Sequence, residues 1–177
     1  GVRTERGFIP VDGRMRTNVP GIYAVGDIVP SMQLAHVAYE EGYAAAENIA
    51  GQNRTVNYGA IPRCIYTMPE ICAVGLTEKQ AKEKYPKTRA YAFPLGAVGK
   101  ALMEGKEDGF ARIVVDETYG EILGCAIVGS GVSELISIPA AAMAMEATVE
   151  ALAETVIPHP SMSELVKEVA LLAAGKP

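Results

Sequence analysis

Residues 17–27 have the sequence TNVPGIYAVGD, a short apolar run enclosed by turn-forming residues. The run from Ile22 to Val25 is β-prone, is entered through Asn18 and Pro20, and ends at Gly26. This pattern predicts a buried strand. Asp27 would then stand at the carboxyl end of the strand, where open α/β sheets place their ligand-binding groups.

A helix is predicted soon after this acid. Residues 31–36 lead into an alanine-rich pattern over residues 37–51, with Gly51 as the helix stop. An acid beside a helix start can bind a sugar-bearing ligand, because the carboxylate accepts hydrogen bonds from hydroxyls. The first N–H groups of the helix and its positive dipole end can hold an electron-rich carbonyl. The alternative is that Gly26 and Asp27 only form a turn.

Composition limits the classes of function. The chain has 177 residues, of which 49% are hydrophobic, and this is enough for a sizeable core. Its 16 basic and 21 acidic residues give a net charge of −5 without any Lys/Arg block, so we expect no nucleic-acid partner. No apolar run is long enough to span a membrane, and residues 1–6 lack the apolar region of a signal peptide. We therefore expect a cytoplasmic protein without a membrane partner.

The three cysteines, Cys64, Cys72 and Cys125, form no C-x-x-C or other close pair in the sequence. Each lies in an apolar stretch, which favours the role of a small buried hydrophobic residue. No redox disulfide can be assigned from the sequence, and we predict no metal site.

A change of pattern near residues 56–59 predicts a boundary between two domains, 1–57 and 58–177. Downstream of it come short β-prone runs bounded by glycine, proline or charged turns, and residues 116–120 join the last two as in a hairpin. Thr77 to Gln80 fit a capping box that opens a helix ending before Pro86. Strands are predicted at 61–66, 71–76, 88–93, 110–115 and 122–128, and later helices at 133–146, 149–155 and 161–174. The fold class is therefore α+β, an antiparallel sheet with flanking helices.

The segment around His159 also carries chemistry. His159 lies between Pro158 and Pro160, so its backbone is restrained on both sides and its imidazole is presented from a rigid turn. A proton-transfer group could be held in this way. Ser161 to Glu164 fit the S-x-x-E capping box, in which Glu164 needs no catalytic partner. A structural role is thus the alternative for both His159 and Glu164.

With these segments together, the chain resembles the carboxyl-terminal part of the dihydrolipoamide dehydrogenases, within the pyridine nucleotide disulfide oxidoreductases. The matching runs span the chain in the family's order, and six ordered matches are far more specific than any single motif. They lie at residues 7–12, 16–27, 34–36, 65–70 with 74–78, 120–124 and 159–164.

The resemblance implies that residues 1–57 form the end of an FAD-binding α/β domain and that residues 58–177 form the dimerisation domain of the family. It implies that Asp27 hydrogen-bonds the ribityl chain of FAD and that Gln33, Leu34, Ala35 and His36 cover the flavin ring. It implies a homodimer in which His159 is the general base in the partner subunit's active site, oriented by Glu164. An imidazole suits this role because its unperturbed pKa lies near working pH.

The implied parent enzyme uses FAD and NAD, and its partners are the lipoyl domains of 2-oxo acid dehydrogenase or glycine cleavage complexes. The G-x-G-x-x-G phosphate loop, the redox-active C-x-x-x-x-C pair and the NAD-binding domain of the family have no counterpart in this sequence. We therefore expect the isolated chain to be inactive and to bind FAD weakly or not at all.

Several alternatives stay open at this point. Glutathione reductase has a similar His-Pro and glutamate, whereas mercuric reductase ends with a cysteine pair and soluble transhydrogenase lacks the histidine; this chain has the histidine and ends without cysteine. A stand-alone dimerisation module without catalysis is another explanation. The small residues and methionines of segment 139–145 suit packing against a second copy, although an internal core would use them equally well.

Overall fold

The computed structural model describes residues 1–176, which divide into two compact units. The first unit is Gly1–Tyr58, and the second begins at Gly59. Within the described residues, no helix combines the length and the apolar character that crossing a lipid bilayer requires.

The first unit is built around one long helix, α1 (Ala35–Ile49). Ala50 caps the helix and Gly51 follows with a φ of 88°, so the predicted glycine stop is confirmed. The predicted strand at 22–25 is wrong: Tyr23 makes a single bridge to Arg16, and a 3₁₀ turn, Gly26–Ile28, follows. A strand needs a continuous hydrogen-bonded neighbour, and in this unit only Arg16 offers a bridge to the run.

The second unit is an antiparallel sheet whose five strands lie in the order β1-β2-β5-β4-β3. All five predicted strands form, and β4 and β5 make the predicted hairpin. Their bounds are β1 Arg63–Ile65, β2 Glu70–Gly75, β3 Thr88–Pro94, β4 Phe110–Asp116 and β5 Glu121–Gly129.

Six α-helices accompany the strands in the described part of this unit: α2 Glu78–Lys84, α3 Gly99–Glu104, α4 Val132–Leu135, α5 Ser137–Ala144, α6 Val149–Glu154 and α7 Glu164–Ala173. The capping box predicted for α2 is present, with Thr77 and Gln80 bonding reciprocally. The single helix predicted at 133–146 is wrong, because it is divided at Ile136 into α4 and α5. Pro139, in the first turn of α5, has no N–H to donate to the Leu135 carbonyl, so the helical hydrogen bonds are interrupted between α4 and α5. Helix α3 was not predicted, because no capping side chain marks its start.

The main core of the second unit lies between one face of the sheet and helices α3 to α7. Helix α7 contributes Leu165, Val166, Val169 and Ala170, all buried. Helix α5 buries Pro139, Ala140 and Ala142. Ala141, Ala144 and Met145 of the same segment are exposed, so only part of segment 139–145 serves the core. A smaller cluster, Ala81, Val114 and Leu123, lies where α2 covers part of the opposite sheet face.

Candidate functional site

Asp27 is exposed on the 3₁₀ turn Gly26–Ile28 of the first unit. Gly26 opens this turn with a φ of 77°, a conformation that favours glycine over any residue with a side chain. The Gln33 side-chain amide donates a hydrogen bond of 3.4 Å to the Asp27 backbone carbonyl. The acid and the segment before α1 are therefore brought together, as the sequence predicts.

The turn that carries Asp27 is stabilised by a hydrogen bond to Glu41, a residue that the sequence analysis did not predict. Glu41 is fully buried and accepts a hydrogen bond of 2.7 Å from the Gly26 backbone N–H. Its other oxygen accepts one of 2.8 Å from the Tyr58 hydroxyl. Burial, followed by the Glu41 contact, raises the pKa of Tyr58 above its usual value. One signal was available: Glu41 occupies an inward position of α1 between Val37 and Ala44, where the helical period calls for an apolar residue.

The other predicted ligand residues lie at the start of α1. Gln33 is exposed, and Leu34 is the N-cap with extended backbone angles but no side-chain cap. Ala35 and His36 are exposed in the first turn of the helix. The first N–H groups of a helix have no acceptor within that helix, although the Leu34 N–H donates to the Met32 carbonyl at 2.9 Å. Their position next to an exposed carboxylate suits a ligand that offers hydroxyls and a carbonyl.

In the second unit, His159 and Glu164 are in direct contact. His159 Nδ1 lies 2.7 Å from Glu164 Oε1. The His159 side chain is 77% exposed, whereas that of Glu164 is 20% exposed. Glu164 is the first residue of α7, which the main core anchors through its buried face. The carboxylate is thus fixed by the fold, and it holds an imidazole that faces solvent.

The second oxygen of Glu164 closes the turn before α7. The Ser161 backbone N–H donates to Glu164 Oε2 at 2.9 Å, which is the reach-back half of the predicted capping box. The hydroxyl half is missing: Ser161 Oγ is buried and makes no hydrogen bond to the described residues, and α7 begins at Glu164 instead of Ser161. Glu164 therefore serves the helix start and the imidazole together.

This arrangement decides where the imidazole proton lies. The hydrogen bond from Ser161, followed by that of His159, lowers the pKa of Glu164, so the carboxyl is ionised near neutral pH. An ionised carboxylate only accepts hydrogen bonds, and the proton between the two side chains therefore belongs to Nδ1. In the neutral imidazole, Nε2 then keeps its lone pair and can accept a proton from a bound molecule.

Comparison with known proteins gives the family. Residues 61–170 match the family model described as pyridine nucleotide-disulphide oxidoreductase, dimerisation domain. The chain belongs to this family. Residues 1–42 match a second model, described as pyridine nucleotide-disulphide oxidoreductase. Both units of the chain thus have counterparts in the family.

Similar individual proteins carry the name dihydrolipoyl dehydrogenase. The one from Chlamydia trachomatis serovar D is 45% identical over 173 residues, which are 98% of this chain and 37% of that protein. The one from Corynebacterium glutamicum is 46% identical over 171 residues, 94% of this chain and 36% of that protein. The predicted resemblance is confirmed: the chain matches the carboxyl-terminal part of dihydrolipoyl dehydrogenases.

Solved structures of the family have the same fold. The crystal structure of LpdA from Mycobacterium tuberculosis aligns with a TM-score of 0.90 at 31% identity, covering 96% of this chain and 38% of that one. The HOCl-induced flavoprotein disulfide reductase RclA from Escherichia coli aligns with a TM-score of 0.87 at 25% identity, covering 96% and 39%. The chain therefore spans well under half the length of the relatives it matches.

Proposed function

We propose that the chain is the carboxyl-terminal part of a dihydrolipoamide dehydrogenase, which oxidises dihydrolipoamide with FAD and a redox disulfide and passes the electrons to NAD. In this proposal, the chain supplies the dimerisation domain, one side of the flavin site and the proton-transfer pair. The observation that carries it is the contact between the exposed His159 and the fixed Glu164 carboxylate.

His159 is the general base of the proposed reaction. Its Nε2 accepts the proton of a dihydrolipoamide thiol, which leaves a thiolate, the nucleophilic form of sulfur. The imidazolium that results is stabilised by Glu164 at Nδ1. Glu164 is a positioning residue: it fixes the ring and its tautomer without touching the substrate.

The residues around Asp27 fit one side of an FAD molecule. The exposed carboxylate suits the ribityl hydroxyls, and the start of α1, with Gln33, Leu34, Ala35 and His36, suits the electron-rich edge of the ring. When bound, FAD would supply the two-electron acceptor for the dithiol. The weak FAD binding expected of the isolated chain stays a prediction.

We also propose that the protein works as a homodimer in the cytoplasm and that its partners are lipoyl domains of 2-oxo acid dehydrogenase or glycine cleavage complexes. The part of the sheet's outer face that α2 leaves uncovered supports the proposal of a dimer. Ile65 faces Ile71, Ile71 faces Val128, and Val128 faces Phe110 across four neighbouring strands. We call these four residues the apolar row.

The apolar row is unusual for a free surface. Ile65 is 57% exposed, Ile71 is 42% exposed and Phe110 is 41% exposed. Beside the row, Arg63, Ala73, Ala126 and Arg112 form a parallel second row of two arginines and two small residues. Contiguous apolar side chains with a polar border are typical of a protein interface. A second copy of the chain would bury them.

The test uses the full-length enzyme in which residues 1–177 form the carboxyl-terminal part, with FAD content and dimer state confirmed for every variant. His159→Gln should lower lipoamide-linked NADH formation by at least about a hundredfold, within the 10² to 10⁴ range of general-base catalysis. Glu164→Gln should lower it by less. Glu168→Gln is the matched control, because it makes the same change one turn further along α7.

Normal turnover of the His159 variant would remove the catalytic assignment. The choice of substrate is a separate measurement: a parent that reduces glutathione disulfide and ignores dihydrolipoamide would be a relative of glutathione reductase. Absence of any flavin-dependent turnover in a yellow, dimeric enzyme would leave only the function of a dimerisation module.

A further inference from the structure

Two of the three cysteines are neighbours in the sheet, although they are distant in sequence. Cys64 lies in β1 and Cys72 in β2, and the antiparallel register places them directly opposite each other. Both side chains point to the face of the sheet that packs on the main core. Cys72 is fully buried, whereas Cys64 is partly exposed.

The spacing of opposite residues suits a disulfide. Directly paired residues in an antiparallel ladder have Cα atoms about 4.5 or 5.5 Å apart, and disulfides join Cα atoms that lie about 4.4–6.8 Å apart. Strand β1 is an edge strand of three residues with β2 as its sheet neighbour. Such a strand can adjust to a cross-link, and it can open to admit a reagent.

The two thiols already influence each other. Burial, followed by the contact with Cys64, raises the pKa of Cys72 to about 12. Burial thus disfavours the thiolate of Cys72, which is the form that attacks a disulfide. Cys64 has the access to solvent that a first attack requires.

Cys125 provides a contrast within the same sheet. It is buried in β5 and lies opposite Val74 on one side and Ile113 on the other. Cys72 pairs with Ile127 on that strand, so Cys125 is only a diagonal neighbour, at a distance too long for a disulfide. Burial raises the pKa of Cys125 to about 12.

We propose that Cys64 and Cys72 form a reversible disulfide by exchange with low-molecular-weight disulfides of the glutathione type. The Cys64 thiolate attacks one sulfur of the small disulfide, forms a mixed disulfide and releases one small thiol. The Cys72 thiolate then attacks the Cys64 sulfur and releases the second small thiol. Two protein thiols are oxidised and one small disulfide is reduced to two thiols, and an excess of small thiol reverses both steps.

This exchange is independent of the flavin chemistry proposed above. It would tie the edge strand β1 to β2 across the turn at residues 66–69, next to Ile65 and Ile71 of the apolar row. The pair is thus a modification site on the strands that border the proposed dimer surface.

The experiment uses the reduced, purified chain, glutathione disulfide as the reagent and alkylation to trap free thiols. We expect the intact mass to fall by two hydrogens and two of the three thiols to become unavailable for alkylation. Cleavage after Glu70 separates the two cysteines into different peptides. These peptides should stay joined until dithiothreitol is added.

Variants identify the partners. Cys125→Ala should still form the cross-link, and Cys72→Ala should stop at a glutathione adduct on Cys64. Cys64→Ala should leave Cys72 unmodified. A wild-type chain that accumulates the adduct without the cross-link, that links Cys125, or that keeps all three thiols under these conditions would overturn the proposal. The peptide map of the wild type gives this answer even if a variant fails to fold.

Discussion

Glu164 contacts His159 through one carboxylate oxygen and the Ser161 backbone through the other. The capping interpretation and the catalytic interpretation of this residue are therefore compatible, because each uses a different oxygen. The reach-back bond fixes the carboxylate on α7, and the fixed carboxylate then orients an imidazole that is otherwise exposed. A side chain that only capped the helix would leave the ring without this partner.

The first prediction concerns the tautomer of His159. In the wild-type chain, the neutral imidazole should carry its proton on Nδ1, because Glu164 can only accept. In Glu164→Gln, the Gln oxygen can keep the bond from Ser161 while its NH₂ group faces Nδ1. The proton should then shift toward Nε2, which lowers the fraction of rings that can act as the base without abolishing it. Nitrogen-15 NMR of the labelled chain with neutral imidazole rings measures this directly.

Assignment of that spectrum is simple because the chain has 2 histidines, and His36→Gln leaves the signal of His159 alone. Glu168→Gln, the same change elsewhere on α7, should keep the Nδ1–H form. An Nε2–H tautomer in the wild type would contradict the role of Glu164 as the acceptor.

The second prediction concerns stability and pH. The pKa of Glu164 is lowered in the folded chain from its ordinary value of 4.5, first by the Ser161 hydrogen bond and then by His159. A lowered folded-state pKa means that the ionised carboxylate stabilises the fold above pH 4.5, and that this contribution is lost as the pH falls through the folded-state pKa. Urea unfolding of wild type and Glu164→Gln should therefore differ fully above pH 4.5 and converge as the pH falls through the folded-state pKa of Glu164. A difference that grows on acidification would contradict this.

Much of the fold of the second unit could be predicted from sequence, because the patterns that indicate its strands and turns lie within short stretches of the chain. The alternation in 110–115 and 122–128, the turn between them and the Thr77 capping box depend on residues that are close in the chain. The prediction of a strand at 22–25 was wrong for the opposite reason. The run has the residue types of a strand, but a strand also needs a paired neighbour, and Tyr23 makes only an isolated bridge to Arg16.

The candidate sites divide in the same way. His159 and Glu164 are five residues apart, so the capping pattern and the prolines indicated the pair. Glu41 accepts a hydrogen bond from Gly26, which lies 15 residues earlier in the chain and opens the turn that carries Asp27. Cys64 lies opposite Cys72 only because of the register of two strands. Such contacts depend on three-dimensional packing, and only a break in periodicity, as at Glu41, signals them beforehand.

The third prediction compares two glycine-to-alanine changes of opposite sign. A Cβ at Gly124 would overlap the backbone of Leu76, which cannot move away as a flexible side chain could. Gly124→Ala should therefore lower the free energy of unfolding by roughly 1–3 kcal/mol. Gly42 lies inside α1, and a Cβ added there would meet nothing within 4 Å. Gly42→Ala should raise stability by about 0.5–1 kcal/mol. Urea unfolding followed by circular dichroism measures both, and equal effects would contradict the packing at Gly124.

The last prediction concerns the apolar row and the proposed dimer. Ile71 lies at the middle of the row, opposite both Ile65 and Val128, and its side chain is 42% exposed. A lysine there would keep its charge in water when the chain is monomeric, so the fold should tolerate the change. In a dimer that covers the row, the charge would lose its hydration without a partner, which is costly. We expect the wild-type dimer to bury more than roughly 2,000 Å². Ile71→Lys should shift it toward monomer at micromolar concentration, as measured by light scattering.

The control is Ile49→Lys, the same change at an isoleucine of α1 that is 67% exposed. Because Ile49 lies outside the row, this variant should remain dimeric. A dimeric Ile71→Lys protein with an unchanged dissociation constant would show that the second copy does not bind to this face of the sheet.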